Sequence, residues 1–462
     1  MAPVKKSVHP KRKGAVLVIA MIFVIIFSAL AVSMATMSGA NTQLASNQRK
    51  VDCALGSAES GLDVERYWLD TVMFPSDTPE NKYFITVMNS LEANMDANSI
   101  TNIVLKKNTG EILPVTLDST SGQTFSGQMS ISNTNPYNLE VSTTGGDGQI
   151  TRTIKVDYYI EPYEHPIFNF GLATKGPINY TGNPTTLGVA EAWEADIYIE
   201  SSGSATALSV VGNTNFHGDI MIGNPAATAN FGGDVKIDGD QGQDAIDSHV
   251  HVGVPPVAFP EPDTARFIPY ATGDVIDSTT DLGSYTNILV NCSIAANTNP
   301  VFPKSVTIQG ILLIYSPNVV TFTQNVALQG IIVGLGDYTV DPPIDRIDVL
   351  GNFASGPYPA GVEFDAIRAE EGSSIVAPGF GMSFQGNFST LEGVVAVSGV
   401  LFTGNVNAMI QGTIINYSEI PMVIEGNASM TFDRADSVKV PAGFDTLRVL
   451  NYDPSSYSEV VP

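Results

Sequence analysis

Ala15-Val-Leu-Val-Ile-Ala-Met-Ile-Phe-Val-Ile-Ile-Phe-Ser-Ala-Leu-Ala-Val-Ser-Met34 is uncharged and almost wholly apolar, and no charged residue follows it until Arg49. About 20 apolar residues in a helix cross a bilayer core ~30 Å thick. The run outlasts the apolar region of an ordinary signal peptide. Lys5, Lys6, Lys11, Arg12 and Lys13 crowd in front of it, and Gly14 stands at the junction. Basic residues are retained on the cytoplasmic side. The sequence therefore predicts a single-pass protein with a cytoplasmic N-terminus and an exported body beyond about residue 40.

The helical pattern continues past the membrane. Leu44, Val51, Leu55, Ala58, Leu62 and Leu69 recur on one face, with Asn47, Gln48, Arg49, Asp52 and Glu65 on the others. No proline occurs between Pro10 and Pro75. This predicts a basic leader over 1–14 and one helix over 15–72, roughly 80 Å long, its apolar stripe packing on a globular domain or a neighbouring subunit. Pro75, Ser76, Asp77 and Pro79 stop it. Residues 73–165 read as a small α+β unit: a short helix over Tyr83–Met95, then strands over 127–133, 137–142 and 149–160. Gly145-Gly146-Asp147-Gly148 is the expected turn before the last strand.

Arg12-Lys13-Gly14-Ala15-Val16-Leu17-Val18-Ile19, with the later Asn47-Gln-Arg and Ala58-Glu59-Ser60-Gly61-Leu62, resembles the N-terminal region of PilX-type minor pilins of type IV pili and of minor pseudopilins. The resemblance covers roughly residues 10–165. It implies cleavage by a prepilin peptidase after Gly14, leaving Ala15 as the mature N-terminus. It also implies a place in the bacterial inner membrane and other pilins or pseudopilins as partners. Major pilins carry Glu at the fifth mature position, where this chain has Ile19; that departure resembles minor, tip-type subunits and puts cleavage in doubt. An uncleaved signal anchor is the plain alternative.

From 166 to 450 the chain changes character: glycine-rich, without helical periodicity, with short Val/Ile/Phe runs. Asn215–Gly223 aligns with Asn230–Asp238 at an offset of 15. Phe322–Val333, Phe384–Ala396 and Phe402–Ile415 form a second repeat family. Gln309-Gly310 recurs as Gln329-Gly330, and Gly393 as Gly412. Periods of 15–20 with glycine at corners predict a right-handed parallel β-helix, with Asn325, Asn387 and Asn405 as a turn ladder. A β-sandwich is the competing architecture. Five prolines over 240–285 predict an extended excursion along the side of the solenoid, and residues 451–462 a loose polar tail.

The net charge of −25 argues against nucleic-acid binding. The two cysteines, Cys53 and Cys292, lie in unrelated contexts and read as free thiols. Asp238, Asp240 and Asp244 in a glycine-rich turn offer Ca²⁺ ligands, but without the rest of an EF-hand a solvated turn is the better reading. His249 and His251 share one face of a strand and with Asp247 could hold Zn²⁺, while His217 has no evident relation to them. Glycan hydrolysis needs paired carboxylates. Asp345/Asp348, Asp365/Glu370/Glu371 and Asp433/Asp436 supply pairs, each with an Arg (346, 368, 434) that also explains it as a surface ion pair. No phosphate loop, nucleophile elbow or Cys-x-x-Cys occurs. The sequence thus predicts a non-enzymatic, membrane-anchored pilin-like protein displaying a β-solenoid to a surface glycan or protein. The alternatives are an anchored glycan-active enzyme and a static envelope protein.

Overall fold

The structure, a computed structural model, describes residues 13–403, 407–426, 428–435 and 437–460. They form two compact units: 13–74, 78–161 and 449–460 in the first, 75–77 and 162–448 in the second.

The first unit is a helix laid on an antiparallel sheet. Helix α1 (Lys13–Leu69) is continuous over 57 residues. Strands β1 (Met73–Pro75), β2 (Leu105–Lys106), β3 (Glu111–Asp118), β4 (Gln123–Ile131), β5 (Asn138–Asp147) and β6 (Ile150–Pro162) make the sheet, with helix α2 (Tyr83–Ala97) between β1 and β2. The sheet order is β1, the C-terminal strand Leu447–Val460, β6, β5, β4, β3, β2. The expected loose tail is therefore a strand. Ser456 Oγ accepts from Asp157 N at 2.8 Å, and Asn451 Nδ2 donates to Glu161 Oε2 at 2.6 Å. Pairing with β6 satisfies backbone groups that a polar composition alone leaves to solvent.

The expected Gly145–Gly148 turn is also corrected. Asp147 pairs with Ile150, so the hairpin loop is Gly148-Gln149, and Gly148 has φ +64°. Gly145 and Gly146 are strand residues. A Cβ on Gly145 would lie 2.1 Å from Ala54 O and 2.2 Å from Ala58 N, so this glycine lets α1 approach the sheet.

The second unit is a parallel β-solenoid with three faces. Its coils are 18 to 43 residues long: Phe384 pairs with Phe402, Phe302 with Phe322, Val349 with Phe384 and Ile332 with Ile375. Side chains at matched positions stack inward. Phe302 and Phe322 rings lie 4.8 Å apart, and Phe384 and Phe402 rings 5.2 Å apart. Gln309 pairs with Gln329 and Gly310 with Gly330, and Gln309 Nε2 donates to Gln329 Oε1 at 2.9 Å. The 15-residue offset does not mark a coil. Phe216 pairs with Ile237 and Ile197 with Ile220, offsets of 21 and 23, and the aligned Phe216 and Phe231 lie on different faces. The short offset repeats one strand and corner, whereas a full turn needs three. The asparagine ladder includes a member that the repeats passed over: Asn325 Oδ1 accepts from Asn352 N at 3.1 Å, and Asn352 Oδ1 from Asn387 N at 3.0 Å. Asn405 lies outside the described residues.

Chain order and spatial order differ. Along the first face the strands run Val250–Val252, Ile220–Ile222, Ile197–Ile199, Leu172–Thr174, Ile414–Asn416, Val394–Val397, Ser373–Ala377, Val326–Leu335, Val306–Tyr315, Ile288–Ile294, Val275–Ile276. The first coil in sequence thus sits inside the stack, and the last coil docks on it: Ile414–Asn416 on Leu172–Thr174, Met422–Gly426 on Ile178–Gly182, Ser429–Phe432 on Thr185–Gly188. The glycine column Gly426–Gly182–Gly212 crosses this seam. Gly182 and Gly212 have φ +113° and +125°, and a Cβ on Gly212 would meet Gly182 O at 1.6 Å. The chain enters and leaves the unit side by side, with Tyr163 N donating to Leu447 O at 3.0 Å.

The proline-rich excursion is what this order requires. It opens with a short helix, Gln243–His249, and the end strand Val250–Val252. The strap 253–274 then joins one end of the first face to the other. Fully extended it reaches at most roughly 75 Å, against roughly 48 Å for about ten inter-strand steps. Val254, Val257, Phe259 and the fully buried Phe267 join one outer apolar layer with Tyr198, Tyr417, Ile311, Leu313, Ile331 and Val333, the outward residues of that face, Phe259 lying on Tyr198 and Tyr417. Ile308, Leu312 and Ile314 face the inner core. Burial on both sides explains why Ile311-Leu-Leu-Ile314 is a continuous apolar run rather than an alternating one.

Candidate functional site

Helix α1 has two halves. Val16 to Met37 is exposed throughout, with Phe23 54% and Met37 65% accessible. Nothing among the described residues covers it, and it is long and apolar enough to cross a membrane. Exposing large apolar side chains to water costs about 1.5–3 kcal/mol each, so this half needs lipid or other helices around it. Within it Thr36 Oγ1 donates to Val32 O at 3.1 Å, and just beyond it Thr42 Oγ1 donates to Ser38 O at 2.8 Å, so both hydroxyls are satisfied inside the helix. Gly14 and Ala15 lie in the first turn of α1, and the leader through Arg12 lies outside the described residues.

The second half lies on β4 and β5. Ala54, Ser57, Ala58, Gly61, Leu62, Glu65, Trp68 and Leu69 are its buried face. Of the residues expected on the stripe, Ala58, Leu62 and Leu69 are buried, Val51 and Leu55 are half-buried, and Leu44 is 69% exposed. Leu44 lies before the sheet begins. Glu65, expected on the polar side, is completely buried: its Oε2 accepts from Thr143 Oγ1 at 2.5 Å, and a Cβ on Gly127 would lie 1.9 Å from its Oε1. The hidden signal is the run of small residues at positions 54, 57, 58 and 61, which admits close helix–sheet contact and leaves room for a carboxyl.

The remaining candidates are all in the second unit. Asp238 (φ +47°) and Gly239 (φ +97°) form the two-residue turn of a hairpin pairing Lys236-Ile237 with Asp240-Gln241. Asp244 is in the first turn of the following helix. Among the described residues no group of three or more His, Cys, Asp or Glu is placed to hold a metal, and Asp238, Asp240 and Asp244 are not brought together as one. The histidine pair takes Asp219 rather than Asp247. His249 Nδ1 is 2.9 Å from Asp219 Oδ1, His249 Nε2 3.5 Å from Asp240 Oδ2, and His251 Nε2 3.5 Å from Asp219 Oδ2. Asp247 instead accepts from Gln243 Nε2. The hydrogen bond to Asp219 raises the His249 pKa against the opposing effect of burial. Both cysteines are free, and burial pushes the Cys292 thiol up.

The carboxylate clusters part company. Glu370, Glu371 and Asp433 meet in one cleft of about 500 Å³, together with Glu392, over a floor of Gly372, Gly393 and Gly412. The repeat signal for Glu392 is its place before a stacked glycine, shared with Glu371 and Gln411. Glu370 accepts from Tyr270 Oη at 2.6 Å and pairs with Arg266 at 2.9 Å, and Arg368 pairs with Asp365 at 2.6 Å. Asp433 accepts from Gln411 Nε2 at 3.1 Å, and Asp436 lies outside the described residues. Asp345 is not a surface ion pair: buried, it accepts from Ser316 Oγ at 2.6 Å and Asn318 N at 2.5 Å, while Arg346 pairs with Asp348.

Arg434 is likewise buried, and it clamps the seam. Its guanidinium donates to Asn169 O at 2.9 Å and to Phe168 O. Its backbone N–H and that of Ala435 donate to Glu194 Oε1 at 3.0 and 3.1 Å. Burial pushes the Arg434 pKa down to about 10, against the pull of Asp196 and Glu194. Burial would raise the Glu194 carboxyl, but four backbone N–H donors outweigh it and hold the pKa below its ordinary value.

Comparison with known proteins locates one relationship. The PilX N-terminal family model matches residues 13–63. The N-terminal region is therefore type IV pilin-like, and the match ends within the helix that packs on the sheet. Among solved structures, the competence-associated pilin ComZ from Thermus thermophilus aligns over 89% of this chain and 98% of its own at 11% identity, with a TM-score of 0.25. A likeness at that level carries no argument. No curated protein matches.

Proposed function

We propose that this chain is a minor pilin-like subunit of a type IV pilus or pseudopilus, and that it is structural rather than catalytic. The observation that carries this is the pilin-like match over residues 13–63, on a helix whose membrane-length half has no cover among the described residues. In this reading the N-terminus faces the cytoplasm and the exposed half of α1 rests in the bacterial inner membrane. A prepilin peptidase cuts after Gly14. The freed helix then packs among the helices of neighbouring pilins, which supply the apolar surroundings that lipid gave it. The solenoid is carried on the exported side as an adhesive or assembly module, with coils that offer many repeated contacts to a glycan or protein.

The test is the N-terminal residue of the protein from its native envelope, read by terminal-peptide mass spectrometry. A chain beginning at Ala15 supports the pilus reading. A chain that keeps Lys5 to Gly14 overturns it in favour of a static anchor.

A further inference from the structure

Helix α1 seats on its sheet around a carboxyl to which no described residue brings a counter-charge. Glu65 is completely buried, in the face that also holds Ala54, Ser57, Ala58, Leu62, Trp68 and Leu69. The seat is shaped to it. Gly127 on β4 has no side chain, and a Cβ there would lie 1.9 Å from Glu65 Oε1. Gly61, one turn earlier on α1, makes room for Phe125 and Thr143, which a Cβ would meet at 2.6 and 2.8 Å. Thr143 on β5 is itself completely buried, and its Oγ1 donates to Glu65 Oε2 at 2.5 Å. Glu65 Oε1 is enclosed and has no partner among the described residues.

The charged and titratable groups around this seat are engaged elsewhere. On α1, Arg66 Nε pairs with Asp70 at 3.8 Å, and the guanidinium lies over the Tyr452 ring of the C-terminal strand at 4.6 Å. Tyr457, further along that strand, meets Glu59. Facing Glu65, β4 offers Gly127, β5 Thr143 and β3 Ile112. From β6 comes Tyr158, a phenol whose pKa burial pushes up and which feels the charges of Asp70, Arg66 and Glu65. The buried face of α2 is Tyr83, Val87, Met88, Leu91 and Met95. An ionised carboxylate offers acceptor sites on both oxygens, and buried without a cation it is costly for a fold to hold. Here one hydroxyl serves one oxygen. Burial accordingly pushes the Glu65 carboxyl from 4.5 up to about 8, against the lowering pull of the Thr143 hydroxyl.

We propose that Glu65 is a proton-operated latch: α1 is held on β4 and β5 with this carboxyl neutral, and loss of its proton loosens the helix from the sheet. Residues 13–69 are one continuous helix, so loosening the bound half also frees the membrane-length half to change its angle to the sheet. Below pH 4.5 the folded and the unfolded chain both hold the proton, and the contact is at full strength. Between 4.5 and about 8 only the folded chain keeps it, and the opening constant rises by up to about tenfold per pH unit. Above that range both have lost it and the rise stops. The latch rests on the first unit alone and does not depend on the pilus reading.

The test is hydrogen exchange of the full chain in detergent micelles, corrected for intrinsic rates and followed from pH 5 to 9. Peptides within 54–69 and 123–147 should open with the slope given above and level off near pH 8, while those within 306–333 stay flat. Glu65→Gln, uncharged at every pH, should remove the slope. Thr143→Val takes away the bond that favours the charged form, so its levelling-off should move to higher pH. The infrared difference between wild type and Glu65→Gln at pH 7 should show the C=O stretch of a protonated carboxyl. Asp196 and Glu200, also pushed up by burial, are present in both chains and cancel. Flat wild-type exchange, an equal slope in Glu65→Gln, or no protonated-carboxyl band overturns the proposal. If Glu65→Gln does not fold, Thr143→Val decides, and levelling-off at an unchanged or lower pH overturns it. Failure here together with a mature start at Ala15 would remove the latch and leave the pilus reading in place.

Discussion

Glu194→Ala is expected to open the solenoid at its seam and nowhere else. Glu194 is fully buried. Its Oε2 accepts from Ala190 N at 2.7 Å and Glu191 N at 3.1 Å, and its Oε1 from Arg434 N at 3.0 Å and Ala435 N at 3.1 Å. The first pair closes a capping box at the short helix Ala192–Ala195. The second pair ties the end of the last coil to the first. Truncation strands four donors, Arg434 N buried and the other three partly buried, at up to roughly 1 kcal/mol each, and leaves the buried Arg434 without its neighbouring anion. About 4 kcal/mol follows, within the 3–5 kcal/mol typical of removing one partner of a buried charge. At about 1.4 kcal/mol per decade this is a roughly thousandfold rise in the open population. Glu194→Gln keeps one acceptor oxygen for two of the four donors, so about 2 kcal/mol and roughly thirtyfold are expected.

Hydrogen exchange read by mass spectrometry is the assay, because local opening is measured peptide by peptide. Peptides within 168–188 and 414–435 should exchange faster by these factors, and those within 306–333, away from the seam, should not change. The carboxyl titrates below its ordinary value of 4.5 in the folded chain. Its contribution is therefore present above pH 4.5 and lost as pH falls through the lowered folded value, so wild-type and Glu194→Gln seams converge in acid. Unchanged seam exchange in Glu194→Ala, or equal acceleration at 306–333, would refute the clamp.

Three further outcomes test other parts of the structure. Gly145→Ala pushes a methyl into the α1 backbone at Ala54 and Ala58 and should cost the first unit about 1–3 kcal/mol, read as a lower urea midpoint in the emission of the buried Trp68. Phe322→Ala removes a fully buried ring stacked on Phe302 and should cost about 3–5 kcal/mol, with exchange in the neighbouring coils accelerating while the first unit is unaffected. The raised His249 pKa stabilises the end cap fully below pH 6.5 and loses that effect as pH rises through the folded value. Intrinsic-rate-corrected exchange over 243–252 should therefore be slower at pH 6 than at pH 8, and Asp219→Asn should shrink the difference, Asp240 being left beside the ring.

Much of this protein was legible before any coordinates. The apolar run Ala15–Met34 and its basic front dictate a membrane-length helix, because composition and length alone decide whether a segment tolerates lipid. The Gln-Gly and Phe repeats at 309–333 and 384–415 dictate stacked parallel coils, because identical residues recur where one coil rests on the next. What the sequence hid were groups whose meaning depends on a distant partner. Glu65 reads as a surface acid until Gly127 and Thr143 are found opposite it. Arg434 and Asp345 read as surface ion pairs until their backbone partners close over them. The C-terminal strand reads as a tail until β6 pairs with it.

The order of the coils belongs wholly to the tertiary structure. Each coil presents to its neighbour the same row of backbone N–H and C=O groups and the same apolar interior. Local sequence therefore determines that coils form and stack, but any coil edge accepts any other. Only long-range closure selects the arrangement in which 414–432 docks on 172–188. That closure rests on the strap 253–274, which carries the chain from one end of the stack to the other, and on the Glu194–Arg434 clamp, whose two residues lie 240 positions apart.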